Sequence, residues 1–274
     1  MPIDWILWSG TLGLESPVPP RIDAAVAAGF TRLSVSPLDI ARAAADGTSP
    51  AEFGRAIRDA GLAIVLDPVL NWYPGGGASP SRFASFTPED ALRMCEQAGI
   101  VAMTAIGSPE APAPAELAAP FGQLCDRAAN LGVDVHLEFM PMSAIGDLRT
   151  AWDIVRGADR ANGGIVFDTW HFFRGDPDFE VLAGVPGERI FAVQLDDALP
   201  AVQGTLREDT QRRLLPGEGS FDLIRVIRAL ADIGGLRWVG PEVIHPDLAA
   251  MPPRAAATLA AERTRAVVQQ ALGR

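Results

Sequence analysis

Eight short apolar runs, each rich in β-branched residues and bounded by turn formers, recur along the 274 residues at an interval of about 34. They cover 4–9, 32–37, 63–71, 101–107, 133–140, 164–169, 190–196 and 238–244. Between them lie Ala-, Leu- and Arg-rich stretches with helical spacing at 19–29, 50–61, 87–98, 114–131, 146–157, 220–233 and 254–272. Alternation on that scale predicts a parallel sheet covered by helices. Eight units favour closure into a barrel over an open doubly wound sheet, and no Gly-x-Gly-x-x-Gly follows the first run, as a dinucleotide fold would need. The expected architecture is α/β, a single (β/α)8 TIM barrel domain over residues 1–274.

Local signals agree with that register. Thr87-Pro88-Glu89-Asp90 reads as an N-cap, a first-turn proline and two acids, and Ser220 and Asp222 precede the helix that begins near Leu223. Gly29, Gly61, Gly99 and Gly132 fall where a helix should stop before the next strand. Loops after the strands are longer and richer in Pro and Gly, notably 71–77 and 197–219, so they are expected to wall a site at the C-terminal ends of the strands.

Composition removes several classes of function. The net charge is −11 with acids scattered among the bases, a field that repels phosphate backbones, so no nucleic acid is expected as partner. All basic residues are Arg; without Lys there is no Schiff-base chemistry and no phosphate-loop lysine. Cys95 and Cys125 lack metal-site spacing and read as small buried hydrophobes in a reducing cytoplasm. No apolar window is long enough for a membrane span, and no leader pattern opens the sequence. The pattern does not set the oligomeric state; a homo-oligomer is compatible with it.

The chemistry is carried by polar residues embedded in apolar strand ends: Glu138 in Val-His-Leu-Glu-Phe, Asp168 in Ile-Val-Phe-Asp-Thr-Trp-His, Gln194 in Ala-Val-Gln-Leu-Asp-Asp and Glu242 in Val-Gly-Pro-Glu-Val-Ile. A carboxylate inside a barrel is costly unless paired or metal-bound, and four successive strands presenting such groups point to one shared cation. Three carboxylates and an amide carbonyl form a hard donor set that suits manganese first, then magnesium, with cobalt and zinc as further choices. His171, three residues past Asp168, is placed to meet a substrate oxygen. His136 points into the barrel, either as a core histidine or as support for the site, and His245 reads as structural. Arg212 and Arg213, ahead of Pro216-Gly217, are candidates to bring a guanidinium over the pocket. Trp8 and Trp72, with Trp5 and Tyr73, are candidates for a sugar-stacking wall or for core.

At these residues the sequence resembles the xylose isomerase-like barrel superfamily, the sugar phosphate isomerase/epimerase group. The Glu on the fifth strand, Asp-x-x-His after the sixth (Asp168, His171), the polar residue on the seventh, Arg-x-x-Pro-Gly-x-Gly (Arg213 to Gly219) and the Glu on the eighth carry the resemblance. It implies that Glu138, Asp168, Gln194 and Glu242 bind one divalent metal. It further implies that His171 and Arg213 hold substrate oxygens and that Glu138 and Glu242 form the acid/base pair. Many epimerases and isomerases have His where this chain has Gln194, whereas some dehydratases have Gln there. The implied activity is isomerisation or epimerisation of a small polyhydroxylated carbonyl compound through proton abstraction and an enediolate, with dehydration of the 3-dehydroshikimate or inosose type as the alternative. Two further classes are an accessory barrel without activity and a repair endonuclease; three histidines and the acidic charge argue against the endonuclease.

Overall fold

Eight parallel strands close into a barrel in strict sequence order. They are β1 (Asp4–Leu7), β2 (Arg32–Val35), β3 (Ala63–Val69), β4 (Ala102–Ile106), β5 (Asp134–Glu138), β6 (Gly163–Asp168), β7 (Ile190–Leu195) and β8 (Trp238–Pro241). The computed structural model describes residues 3–74, 81–109 and 112–273. The Gly75-Gly76-Gly77 part of the expected third-strand loop lies outside the described residues.

The first five helices are α1 (Val18–Ala27), α2 (Pro37–Ala45), α3 (Pro50–Asp59), α4 (Pro88–Ala98) and α5 (Pro114–Ala129). Next come α6 (Leu148–Ala158), α7 (Thr169–Arg174), α8 (Phe179–Gly184) and α9 (Leu206–Asp209). The last three are α10 (Leu223–Asp232), α11 (Pro246–Ala249) and α12 (Pro253–Leu272). Among the described residues no helix is long and apolar enough to cross a membrane.

The seven helices expected from periodicity are present within a few residues of their expected ends. The short helices α2, α7, α8, α9 and α11 are additional; each is too brief for a periodic signal and is set by its cap. Ser36 and Asp39 form a reciprocal capping box around Pro37, which ends the second strand run early and starts α2. Thr87 and Asp90 do the same for α4, and Asp222 caps α10 by accepting from the Arg225 amide. Ser220 instead donates its hydroxyl to the Ala198 carbonyl. Gly29, Gly61, Gly99 and Gly132 all have positive φ, the conformation that lets the chain leave a helix and re-enter the sheet.

Two apolar layers result. One fills the space between sheet and helices; the other, inside the barrel, consists of Ile6, Trp8, Val65, Ala102, Val166, Ala192 and Trp238. His136 joins this interior, fully buried, with its ring 5.3 Å from Trp238 and 5.7 Å from Phe191. Among the described residues neither of its ring nitrogens has a hydrogen-bond partner, and burial, aided by Arg237 and Arg32, pulls its pKa down to about 3. It is a neutral core histidine.

Candidate active site

Ladder register sets the site at one level of the barrel. Glu138 closes β5 opposite Val166, Asp168 closes β6 opposite Gln194, and Gln194 pairs onward with Gly240. Glu242 follows β8, tied down by its amide donating to the Leu195 carbonyl at 3.1 Å. Paired residues of parallel strands project to the same side, so Asp168 and Gln194 share a face.

The spacing of Asp168 and His171 has a local cause. Asp168 is the N-cap of α7, and its Oδ1 accepts the His171 amide at 2.7 Å. One carboxylate oxygen is thereby used for the cap and Oδ2 is left for other partners. The turn of helix swings the His171 ring back over the strand end, where Nε2 lies 3.4 Å from Glu138 Oε1 and 4.0 Å from Asp168 Oδ2. Glu138, Asp168 and His171 each offer a ligand atom, all within 4.8 Å of one another. That trio is compact enough for one cation.

Gln194 supplies the test of fit. Its Oε1 and Nε2 are both buried and neither has a hydrogen-bond partner among the described residues. An orphaned buried amide costs roughly 1–3 kcal/mol per group, and a cation coordinated by the carbonyl oxygen would relieve that oxygen's share. The donor chemistry of the site therefore fits a divalent metal. Glu242 stands outside the compact trio but faces the same cavity.

Arg213 is the electrostatic centre of the other side. Its Nη1 donates to Asp168 Oδ2 and Asp196 Oδ2, each at 2.7 Å, and to the Glu242 carbonyl at 3.1 Å. Nη2 reaches the Thr210 hydroxyl at 3.1 Å and stands 3.4 Å from His171 Nε2. The guanidinium is 2% exposed and packs 5.3 Å over Trp170. Burial opposes its charge, but Asp168, Asp196, Glu242 and Glu138 outweigh that and raise its pKa. Asp168 is pushed up by burial and pulled down more strongly by Arg213 and His171, so its carboxyl stays below the ordinary range. Asp196 and Glu242 are driven well above it, chiefly by burial.

Of these groups Glu138, His171, Arg213 and Glu242 line a cavity of about 310 Å3, as does Asp67. The structure distributes the remaining sequence candidates elsewhere. Trp8 is fully buried in the barrel interior and does not line the cavity. Trp72 is buried against Tyr73 and Phe121, its indole N–H donating to the Ile106 carbonyl at 2.9 Å. Arg212 is exposed and borders a neighbouring cleft with Arg82 and His245. Asp197 closes the loop after β7 by accepting from the amides of Ala198, Gly217 and Phe221. Gly219 is required there, because a Cβ would lie 2.3 Å from Asp197 Oδ1 and 2.4 Å from the Ala198 carbonyl. His245 accepts the Asp247 amide at 3.2 Å as the cap of α11.

Sequence reading missed Asp67, a buried acid in β3 that faces the cavity. Burial first, then Glu138 and Asp168, push its pKa well up. The signal was present, an acid inside Ala-Ile-Val-Leu-Asp-Pro-Val, the same pattern that exposed Glu138 and Asp168.

Residues 22–267 match the family model described as xylose isomerase-like TIM barrel. The chain belongs to that family. As a xylose isomerase-like barrel it is similar to a 3-dehydroshikimate dehydratase of Pseudomonas aeruginosa, 29% identical over 249 residues, 89% of this chain and 39% of the relative. It is also similar to an inosose isomerase of Bacillus velezensis, 33% identical over 150 residues, 54% of this chain and 53% of the relative. The matches thus span about half or less of these curated relatives. Among solved structures, a zinc-bound IolI protein superposes with a TM-score of 0.86 at 20% identity, over 98% of this chain and 99% of that one, a likeness of fold.

Proposed function

We propose that this xylose isomerase-like barrel is a divalent-cation-dependent isomerase or epimerase of a small polyhydroxylated carbonyl compound. The observation that carries the reading is the convergence of ligand atoms of Glu138, Asp168 and His171 within 4.8 Å, with Glu138 and His171 lining a ligand-sized cavity and Gln194, the ladder partner of Asp168, carrying an amide without a partner among the described residues. Glu138, Asp168, Gln194 and Glu242 would hold the cation. Mixed oxygen donors with an imidazole nearby suit manganese best, with magnesium, cobalt and zinc behind it. When bound, the cation supplies Lewis acidity to a carbonyl oxygen.

The chain's own residues supply the rest. Glu138 and Glu242 approach the cavity from β5 and from beyond β8, giving two positions from which a proton is taken from the carbon next to the carbonyl and returned. His171 is held by the cap of α7 and presents its ring to a substrate oxygen. Buried Arg213 fixes the orientation of Asp168 and keeps it ionised.

Dehydration is the second reading. It is favoured by Gln194 and by the dehydratase relative that matches 89% of the chain; it shares the proton abstraction and differs in expelling a β-hydroxyl.

The test is elemental analysis of the purified protein followed by deuterium incorporation from heavy water into ketoses, inososes and 3-dehydroshikimate. One divalent ion per chain is expected, with exchange at the carbon beside the carbonyl that disappears on chelation and in Glu138→Gln. Exchange indifferent to chelation, or no exchange by metal-loaded protein with any of these compounds, overturns the reading.

A further inference from the structure

The proton-transfer reading leaves one buried acid, Asp209, without a task. Asp209 ends α9, within the excursion of the chain between β7 and α10 whose base is closed by the antiparallel pairing of Asp197 with Leu214. Its Oδ2 accepts from the Trp170 indole N–H at 3.0 Å and from Arg174 Nε at 2.8 Å, and its Oδ1 accepts the Gln203 amide at 2.7 Å. Trp170 and Arg174 both belong to α7, the helix whose cap joins Asp168 to His171.

Trp170 links this acid to the cavity. Its fully buried indole meets the His171 ring edge-on, centroids 5.3 Å apart at 84°, and carries the Arg213 guanidinium over its face at 5.3 Å. The N–H is the only polar atom of the indole, so Asp209 fixes the rotation of the ring on which both groups rest. Thr210, the next residue, takes the other side of Arg213: its hydroxyl accepts from Nε at 3.3 Å and from Nη2 at 3.1 Å. Arg213 Nη2 and His171 Nε2 stand 3.4 Å apart, and both side chains line the cavity. A turn of the indole or a shift of the Asp209-Thr210 peptide therefore displaces the two groups together.

We propose that Asp209 is a positioning residue, setting through the Trp170 indole and through Thr210 where the Arg213 guanidinium and the His171 ring stand on the cavity wall. This rests on the proton-transfer reading for what those two groups do, while their placement is measured separately. A carboxylate suits the task because it only accepts, and three donors converge on it. An amide in its place turns an NH2 group toward at least one of those donors, so Asp209→Asn breaks part of the grip at nearly constant volume.

Proton–nitrogen-15 correlation spectra of the histidine rings test the placement without turnover, on zinc-loaded protein and again after chelation, with His171 assigned through His171→Gln. In Asp209→Asn the His171 signals are expected to move while those of His136 and His245 keep their native positions. Arg174→Met is the control for plain loop anchoring: it removes the Nε bond to Asp209 and the Nη2 bond to the Leu199 carbonyl at 2.7 Å but spares the indole N–H. It should lower Tm and leave the His171 signals native. Should Asp209→Asn fail to fold, Asp209→Ser is measured in its place. Unmoved His171 signals in the Asp209 variant, or equal movement in Arg174→Met, overturns the proposal. In manganese-loaded protein, deuterium exchange at saturating substrate should fall about tenfold in Asp209→Asn at an unchanged half-saturating concentration, and exchange at the native rate overturns it as well. If the native protein exchanges none of the compounds, the proton-transfer reading fails and the ring spectra still decide the placement.

Discussion

Replacing Arg213 by Met keeps an unbranched side chain of similar length and removes one charge from the centre of the polar network. In the native protein that charge lies 2.7 Å from both Asp168 and Asp196 and 3.5 Å from the Glu242 carboxylate. Breaking a buried ion pair from one side costs about 3–5 kcal/mol, because the stranded carboxylates lose their counter-ion without regaining water. We expect a loss in that range at pH 7.5, or roughly 10 °C in Tm for a chain of this size. The loss should depend on pH with a definite sign. Asp168 is held below its ordinary pKa by Arg213, so native stability from this group is present at neutral pH and falls as acid protonates it. In Arg213→Met only His171 and its amide still oppose burial, so the Asp168 pKa rises and the variant loses less stability than the native protein as pH falls. The difference between the two proteins must therefore narrow toward pH 4. Urea unfolding followed by tryptophan fluorescence at pH 7.5, 6 and 4.5, on chelated protein, measures it. A loss under about 1 kcal/mol at pH 7.5, or a difference that stays constant with pH, would refute the argument that Arg213 compensates these acids.

Two further outcomes follow from buried groups outside the site. His136 has a pKa near 3 in the folded protein against 6.5 when free, so its contribution is intact above pH 6.5 and falls by about 1.4 kcal/mol per pH unit below it, reaching about 2 kcal/mol at pH 5. His136→Leu should lose that much less stability than the native protein between pH 7.5 and 5; parallel curves would exclude a neutral core histidine. Cys95 and Cys125 are buried, with pKa values raised to about 12 by desolvation. Neither should react with a thiol reagent at pH 8 until denaturant is added, and rapid labelling of the folded protein would contradict their burial.

The barrel was legible because its signal is repeated: each β/α unit carries the same alternation, and Gly29, Gly61, Gly99 and Gly132 punctuate four of them. The strand-end acids were legible for a related reason, since a charge embedded in apolar text has few explanations. Asp67 obeys that rule too, but its strand was read as running to residue 71, which put the acid in mid-strand, whereas β3 ends at Val69. The tryptophans were ambiguous because strand parity alone does not say how far along the barrel axis a ring lies. Trp8 follows β1 by one residue and still packs with Ile6 and Trp238 in the interior layer.

The least legible fact is also the one with most chemical consequence. From sequence, Arg213 was a donor aimed at substrate; in the fold it is spent on the protein's own acids. That follows from Asp168, whose Oδ1 is committed to the α7 cap and whose Oδ2 is shared with Arg213. A cation held there would share that oxygen with the guanidinium that keeps Asp168 in place. No local pattern of residues could have revealed this, because acids from five strands and one distant loop arginine meet in the pocket.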